Sequence, residues 1–401
     1  MSPRLSNIIS FETFRTEAGE WKRCGKIFFL MVILPVLLLF PIVEIVAWRT
    51  GDTIPPEVAA RMQTEDPHPR WAGSREAFSA RFKLIRVGRE RPDVLIMGAS
   101  RMCQFRGEMF RPYSFYNLSR VSWPLDTYPG LFRHLPEGYT PKIILFGLDF
   151  FLFNPTYASE PDFKRGVPRY ATPTWRDHLL ILRDTFVALC ENPAAIFADG
   201  HDPHNGEPVI GLHPSTDGSG FRQDGSEPQL DSDLEKYRAP HYDLLKGNIL
   251  NRMPLYFGDA MGTGEMAQFE EFAALARAKG ITLVAVQMPM YGPLVRHLEK
   301  DGRFGILADF RAHIANGYFA RLGVPVFDYL NFQPYSDDKR YFIDACHPTE
   351  TVSAAVVVAL LSDPRMKALL PAIDREALRR KLAENFNADQ QVYLYPGGNG
   401  P

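Results

Sequence analysis

A serine and an aspartate–histidine pair, far apart in the chain, are of the residue types that nucleophilic catalysis needs. Ser100 follows Gly98 and Ala99, two small residues that allow a tight turn. A serine hydroxyl is a weak nucleophile and needs a base, usually a histidine oriented by a carboxylate. Asp344 and His347 supply both groups on one short loop. The sequence therefore predicts Ser100 as the nucleophile, His347 as its base and Asp344 as the group that orients the imidazole.

Each candidate also has a structural interpretation. Ser100 could cap the helix that follows it, and His347 could be a structural histidine before Pro348. Arg101 could be a solvated helix residue, and Asp149 a turn residue at a strand end. The downstream Asp-x-x-His pair favours the catalytic interpretation of Ser100 over the cap.

Short apolar runs alternate with helix-length segments on both sides of these residues. Strands are predicted at 94–97, 115–118, 142–147, 281–288 and 326–328. Helices are predicted at 74–89, 127–135, 265–279, 304–322 and 349–361. This alternation is typical of an α/β fold with a parallel sheet covered on both faces. Ligands of such sheets bind at the carboxyl ends of the strands, which is where Ser100 and Asp149 fall.

A long polar segment interrupts the alternation. Residues 155–260 contain a helix near 175–190 and then a stretch at 199–232 rich in Gly, Pro, Asp and His. We interpret it as an insertion over the strand ends, a lid or a cap. Its histidines, His201, His204 and His213, suggest a metal site. No carboxylate or cysteine stands at a convincing spacing from them, so a polar loop without metal is the alternative.

An apolar segment near the N-terminus predicts a membrane anchor. Residues 27–43 are uncharged, and the segment 27–48 is about 22 residues long, enough for a hydrocarbon core of roughly 30 Å. Lys22, Arg23 and Lys26 precede it, so the positive-inside rule places the N-terminus in the cytoplasm. A cleaved signal peptide is the alternative.

This anchor divides the chain into five predicted parts. They are a cytoplasmic segment 1–26, a single transmembrane helix 27–48, a Pro-rich linker 49–72, an extracytoplasmic domain 73–386 and a flexible tail 387–401. The expected location is the bacterial inner membrane, with the main domain in the periplasm.

Composition excludes some functions. The net charge of −2 argues against binding nucleic acid, which needs a concentrated excess of Lys and Arg. Four scattered cysteines are too few for a disulfide framework. Cys103 and Cys346 fall near the predicted site and could form a disulfide or remain two buried thiols. We expect no metal and no cofactor.

Four short blocks resemble the SGNH (GDSL-like) hydrolase superfamily. The segment 98–100 resembles its nucleophile block, with Ala in place of Asp, and 344–347 matches its Asp-x-x-His block. The segments 117–122 and 147–149 resemble the second and third blocks. The resemblance covers roughly 90–155 and 265–362, and it implies a flavodoxin-like three-layer parallel sheet.

The middle blocks depart from the family pattern. Ser122 stands where the family has an oxyanion glycine, and Asp149 stands where it has an asparagine. By the resemblance, Ser122, Asn117 and Asp149, together with Arg101, are candidates for binding an oxyanion or the substrate. An ionised Asp149 would repel an oxyanion. We therefore expect Asp149 to pair with Arg101, which could then recognise a carboxylate or polarise a carbonyl.

The N-terminal span and the Gly-x-Ser-Arg block also resemble one branch of the superfamily. It includes cell-envelope polysaccharide O-acyltransferases and the D-alanine-transfer protein of lipoteichoic acid synthesis. The resemblance implies a serine acyltransferase or esterase acting on acyl esters of an envelope polysaccharide, possibly beside a membrane-bound O-acyltransferase. The alternative is a non-catalytic accessory subunit that binds a polymer or such an acyltransferase. A weaker alternative is an assembly scaffold acting through the insertion.

Overall fold

The computed structural model describes residues 22–65, 69–73, 78–122, 124–159, 170–228, 256–384, 386–387 and 390–391. The helices are α1 Leu34–Thr50, α2 Pro56–Met62, α3 Ser79–Glu90, α4 Thr127–Arg133, α5 Pro155–Ser159, α6 Trp175–Glu191, α7 Leu212–Asp217, α8 Thr263–Ala278, α9 Gly292–Lys300, α10 Gly305–Ala315, α11 Tyr318–Arg321, α12 Glu350–Leu360, α13 Pro364–Leu369 and α14 Arg375–Glu384. The strands are β1 Arg70–Trp71, β2 Val94–Met97, β3 Phe115–Asn117, β4 Ile143–Gly147, β5 Val209–Ile210, β6 Thr282–Gln287, β7 Val326–Asp328, β8 Phe386–Asn387 and β9 Gln390–Gln391.

Five strands form the central sheet in the order β3-β2-β4-β6-β7, and every neighbouring pair is parallel. Along the chain this is the order second, first, third, fourth, fifth, as in flavodoxin-like doubly wound sheets. The predicted parallel sheet is confirmed, with strand ends within one or two residues of the expected positions.

Apolar side chains cover both faces of the sheet. Leu95 and Met97 of β2 pack with α3, α4, α8, α9 and α10, whereas Val94 and Ile96 pack with α12, α13 and α14. Successive strand residues point to opposite faces, so a strand buried on both sides must be apolar throughout. The predicted three-layer α/β architecture is therefore confirmed.

One predicted helix is divided in two. The segment 304–322 forms α10 and α11, which are separated at Gly317. Gly317 has φ of +70°, in the left-handed region that glycine adopts without steric cost. The apolar periodicity continues through the break, which is why the sequence predicts one helix.

The range predicted as a linker, 49–72, contains α2 and β1. β1 pairs in parallel with β5 of the insertion. Trp71 is buried and stacks on Phe82 of α3, with ring centroids 3.9 Å apart. Aromatic burial of this kind holds the segment against the domain.

The N-terminal helical segment consists of helical residues 22–28, a π-helix at Phe29–Ile33 and then α1. Within the part of the chain that the structure describes, no single helix combines the length and the apolarity needed to cross a membrane. Val43 and Ala47 of α1 pack against Leu182 of α6.

Parts of the predicted termini lie outside the described residues. These parts include 1–21 of the cytoplasmic segment and most of the tail 387–401. At the start of the tail, β8 pairs with β9 in antiparallel register.

Candidate active site

The turn after β2 depends on a glycine. Gly98 has φ of +146°, and a Cβ there would lie 2.7 Å from Cγ of Met102 and 3.1 Å from the Cα of Gly147 on β4. A larger residue would therefore clash with the neighbouring strand end. Ala99 is the residue that caps the following 3₁₀-helix, Ser100–Met102. Ser100 is thus the first residue of that helix and not its cap.

The structure brings Ser100, His347 and Asp344 together although 247 positions separate the first two. Oγ of Ser100 lies 2.7 Å from Nε2 of His347. On the other side of the ring, Nδ1 lies 2.8 Å from Oδ2 of Asp344 and 3.0 Å from Oδ1. Both distances fall within the reach of a hydrogen bond, so a proton can move from the serine hydroxyl to the imidazole.

Asp344 is held as a carboxylate. Oδ1 accepts hydrogen bonds from the backbone N–H groups of Cys346 and His347, both at 2.8 Å. Burial raises the pKa of Asp344, but the His347 charge and these hydrogen bonds outweigh it and lower the pKa to about 2. An ionised Asp344 fixes the imidazole tautomer and stabilises the imidazolium.

Arg101 lies behind the nucleophile and is only 3% exposed. Its Nε donates to the carbonyl of Cys346 at 2.9 Å, and its Nη2 donates to the carbonyl of Pro289 at 2.9 Å. The remaining bonds go to the carbonyl of Met288 and to Asp149. Arg101 is therefore not a solvated residue, and its bonds hold the nucleophile turn, the β6 end and the His347 loop together.

Asp149 is the buried partner of Arg101, as the sequence predicts. It is 1% exposed and lies two residues after the end of β4. Burial raises the pKa of Asp149 above the usual value, although the Arg101 charge opposes that shift. The guanidinium of Arg101 is hydrogen-bonded to protein groups. The expectation that Arg101 recognises a substrate is therefore corrected. The geometry makes Arg101 a positioning residue.

The side chain of Asn117 is also occupied within the protein. Its amide donates to the carbonyls of Met102 at 2.9 Å and Phe105 at 3.0 Å. Its Oδ1 accepts from the N–H of Ser119 at 3.0 Å. Asn117 thus joins β3 to the nucleophile turn, and the predicted role of its amide in an oxyanion site is corrected on this ground.

Ser122 is buried, and its hydroxyl is hydrogen-bonded to the hydroxyl of Thr127 at the start of α4. Its carbonyl accepts from the hydroxyl of Tyr128 at 2.9 Å. These contacts leave only the backbone N–H of Ser122 for the predicted oxyanion role, which stays a prediction.

Sequence reasoning missed Lys83, which is fully buried in α3. Nζ donates to the carbonyls of Asn117, Ser119 and Gly225 at 3.0, 2.9 and 2.8 Å, and it lies 3.8 Å from the ring centroid of Phe221. Burial lowers the pKa of Lys83 to about 8. Its position among apolar residues of α3 is the signal that could have revealed it.

The two cysteines near the site are free and buried. Burial raises the pKa of the Cys103 and Cys346 thiols, each to about 12. The thiol of Cys346 lies 3.8 Å from the hydroxyl of Tyr256. Both cysteines are therefore thiols in this structure and not a disulfide clamp.

Two of the insertion's histidines contact carboxylates of the insertion itself. His201 contacts Asp199 at 3.2 Å, and His213 lies 3.9 Å from Asp217. Among the described residues, no three His, Cys, Asp or Glu side chains come close enough to hold a metal ion.

Among models of known protein families, none matches the chain. No curated protein matches it.

Proposed function

We propose that the protein is a membrane-anchored serine acyltransferase or esterase that forms an acyl-enzyme on Ser100. The observation that supports this most directly is the hydrogen-bonded series from Ser100 through His347 to Asp344 at the carboxyl end of the sheet. The first and last sequence blocks resemble those of an SGNH-type hydrolase, and the strand order is the one that this resemblance implies, which favours ester chemistry over other uses of a serine nucleophile.

In the first step, Oγ of Ser100 attacks the acyl carbon of an ester while Nε2 of His347 takes the hydroxyl proton. The tetrahedral intermediate then collapses, the ester C–O bond breaks, and His347 returns the proton to the leaving oxygen. Asp344 accepts a hydrogen bond from Nδ1 throughout and offsets the positive charge on the ring.

In the second step, His347 deprotonates the acceptor, which attacks the acyl carbon of the acyl-Ser100 ester. The bond between that carbon and Oγ of Ser100 then breaks, and His347 returns the proton to Oγ. Water as acceptor makes the protein an esterase, and a sugar hydroxyl makes it a transferase. The oxyanion would be stabilised by the backbone N–H of Ser100, which begins a 3₁₀-helix and has no intrahelical acceptor, with a second donor from Ser122.

Membrane attachment is part of the proposal. It is supported by the exposed apolar side chains of the N-terminal helical segment: Ile27, Phe28, Phe29, Leu30, Met31, Leu38, Leu39, Phe40, Ile42, Ile45 and Trp48. Soluble domains rarely leave so many large apolar groups in water. With Lys22, Arg23 and Lys26 in the cytoplasm, the domain would face the periplasm.

The substrate class follows from this location and from the family resemblance. We propose acyl esters, acetyl-like in size, on a cell-envelope polysaccharide, with a membrane-bound O-acyltransferase as the donor partner. The partner and the acceptor rest on the resemblance alone.

A serine-directed fluorophosphonate tests the chemistry. We expect the full-length protein to gain one phosphonyl group by intact mass, and Ser100→Ala to gain none. His347→Ala should slow labelling about a thousand-fold or more, because the nucleophile loses its base. Ser362→Ala is the matched control, since Ser362 is an exposed serine beyond the end of α12. Equal labelling of wild type and Ser100→Ala would disprove the proposal.

A second candidate, the accessory subunit, is favoured by one observation. The side chains of Asn117 and Asp149, in the two middle blocks, are bonded inside the protein and offer no donor to an oxyanion. An unlabelled but folded wild type that still binds envelope polysaccharide would support this candidate over the enzyme.

A further inference from the structure

Helix α6 of the insertion exposes an apolar stripe. Trp175, Leu179 and Phe186 are 70%, 49% and 40% exposed. Spacings of four and seven residues place these three side chains on one face of the helix. Val187 at 45% and, just beyond the helix, Phe197 at 81% extend the apolar surface. None of these five side chains is buried in the domain core.

Helix α6 crosses α1 near the end of the predicted span. Glu44 of α1 lies 3.1 Å from Nε2 of His178 near the start of α6. Leu182 packs with Val43 and Ala47, and Leu189 packs against the same cluster. These contacts extend from 178 to 189 on α6, about 16 Å of helix, but from 43 to 47 on α1, about 6 Å, so the two helices cross at a large angle.

The level of the crossing follows from these contacts. Glu44, the partner of His178, lies between Ile42 and Ile45, which are 39% and 57% exposed. Residues 43–47 are near the end of the predicted span 27–48. Helix α6 therefore lies at the outer end of the exposed apolar surface of α1.

Polar groups at the start of α6 are satisfied within the protein. Thr174 and Asp177 form a reciprocal capping box, with the Asp177 carboxylate accepting from the Thr174 N–H at 2.9 Å and from its hydroxyl at 2.8 Å. The Glu44 side chain has His178 as its partner. A helix end whose N–H groups are capped can enter a region poor in water at a lower cost.

We infer that α6 lies in the surface of the lipid bilayer beside α1, with Trp175, Leu179 and Phe186 among the acyl chains. The inference rests on the membrane anchoring in the proposed function and is independent of the catalytic chemistry. Arg176 and Arg183 on the same helix carry long side chains that reach the phosphate headgroups.

Nitroxide labels on single cysteines test this in the full-length protein reconstituted into phosphatidylglycerol–phosphatidylethanolamine vesicles. The background is Cys24→Ser with Cys190→Ser, since Cys103 and Cys346 are buried. Labels are placed at Leu179→Cys and Phe186→Cys. Leu39→Cys reports the anchor, and Arg379→Cys on α14, where the side chain is 67% exposed, reports water.

We expect the labels at 179 and 186 to collide with dissolved oxygen more often than with an aqueous nickel chelate, as the label at 39 does, and the label at 379 to show the reverse. Aqueous behaviour at 179 and 186 with lipid behaviour at 39 overturns the inference and leaves the anchor intact. Aqueous behaviour at all positions overturns the anchor as well. Labels immobilised and shielded from both reagents indicate a protein contact and also overturn it. An unchanged thermal unfolding midpoint establishes that each variant is folded.

Discussion

His347 and Asp344 are partly open to solvent, with 32% and 24% of their side-chain surfaces exposed, whereas Arg101 is 3% exposed and Lys83 fully buried. His347 and Asp344, here called the front pair, have side chains that are hydrogen-bonded to one another. Arg101 and Lys83, here called the back layer, donate mainly to backbone carbonyls. A side chain of the front pair can gain or lose a proton, and a group of the back layer holds a loop in place.

The difference shows how the two tasks are separated. Proton transfer needs groups whose charge can change, and these must be reached by a substrate. Positioning needs buried donors that hold backbone carbonyls, and a guanidinium is the donor whose charge is most constant. Substitutions in the back layer should therefore reduce stability first, and substitutions at the front should reduce activity first.

The largest expected effect on stability is that of Arg101→Met. It leaves Asp149 buried without a counter-charge and removes the donor to the Cys346 carbonyl. We expect the free energy of unfolding to fall by about 3–5 kcal/mol, measured by urea denaturation.

The double variant Arg101→Met/Asp149→Leu sharpens this prediction. Removing both charges should recover part of the lost stability, because no unpaired carboxylate remains buried. Fluorophosphonate labelling should stay impaired in the double variant, because the His347 loop still lacks the hydrogen bond from Arg101 to the Cys346 carbonyl. Full recovery of labelling would show that Arg101 does not position the site.

Lys83→Met should cost about 3 kcal/mol in the same denaturation experiment, because three backbone carbonyls lose their donor. Lys142→Met is the matched control, since the Lys142 side chain is 57% exposed. A loss no larger than that of the control would remove Lys83 from the back layer.

The pH dependence of stability tests the front pair. The pKa of Asp344 is about 2 in the folded protein, below its ordinary value of 3.8. A lowered folded-state pKa adds stability that is complete above the unfolded-state value and is lost as pH falls through about 4 to 2. The contribution is about 2 kcal/mol. Asp344→Asn should show a correspondingly shallower acid decline, and an equal decline in both proteins would contradict this assignment.

The smallest expected effect is at an exposed ion pair far from the site. Arg133 and Glu271 are 56% and 47% exposed, so water and salt screen their attraction. Arg133→Ala should change the free energy of unfolding by about 0.5 kcal/mol or less. A loss comparable to that of Arg101→Met would mean that burial does not distinguish the two layers.

The sheet and the three proposed catalytic residues could be predicted from the sequence, whereas the back layer could not. Runs of Val, Ile and Leu predict strands because both faces are buried, and Ser100, His347 and Asp344 stand out by residue type. The partners of Arg101 and Lys83 are mostly backbone carbonyls, which every residue carries. No sequence pattern distinguishes the carbonyl that receives a hydrogen bond.

Asn117 is another residue whose hydrogen-bond partners could not be predicted from the sequence. Its place in a family-like block predicts a donor to substrate, yet its amide is used by the carbonyls of Met102 and Phe105. The split at Gly317 and the packing of Trp71 also depend on contacts between segments distant in sequence.

Arg101 directly follows Ser100, and the carbonyl it binds belongs to the residue directly before His347. The distance between Ser100 and His347, the proposed nucleophile and base, is thus set by a contact between their immediate chain neighbours. Heating should consequently leave the reactive geometry intact until the whole sheet melts. The thermal midpoints of inactivation and of global unfolding would then be the same. Flexibility that admits a bulky substrate must arise in segments other than the Ser100 turn and the His347 loop.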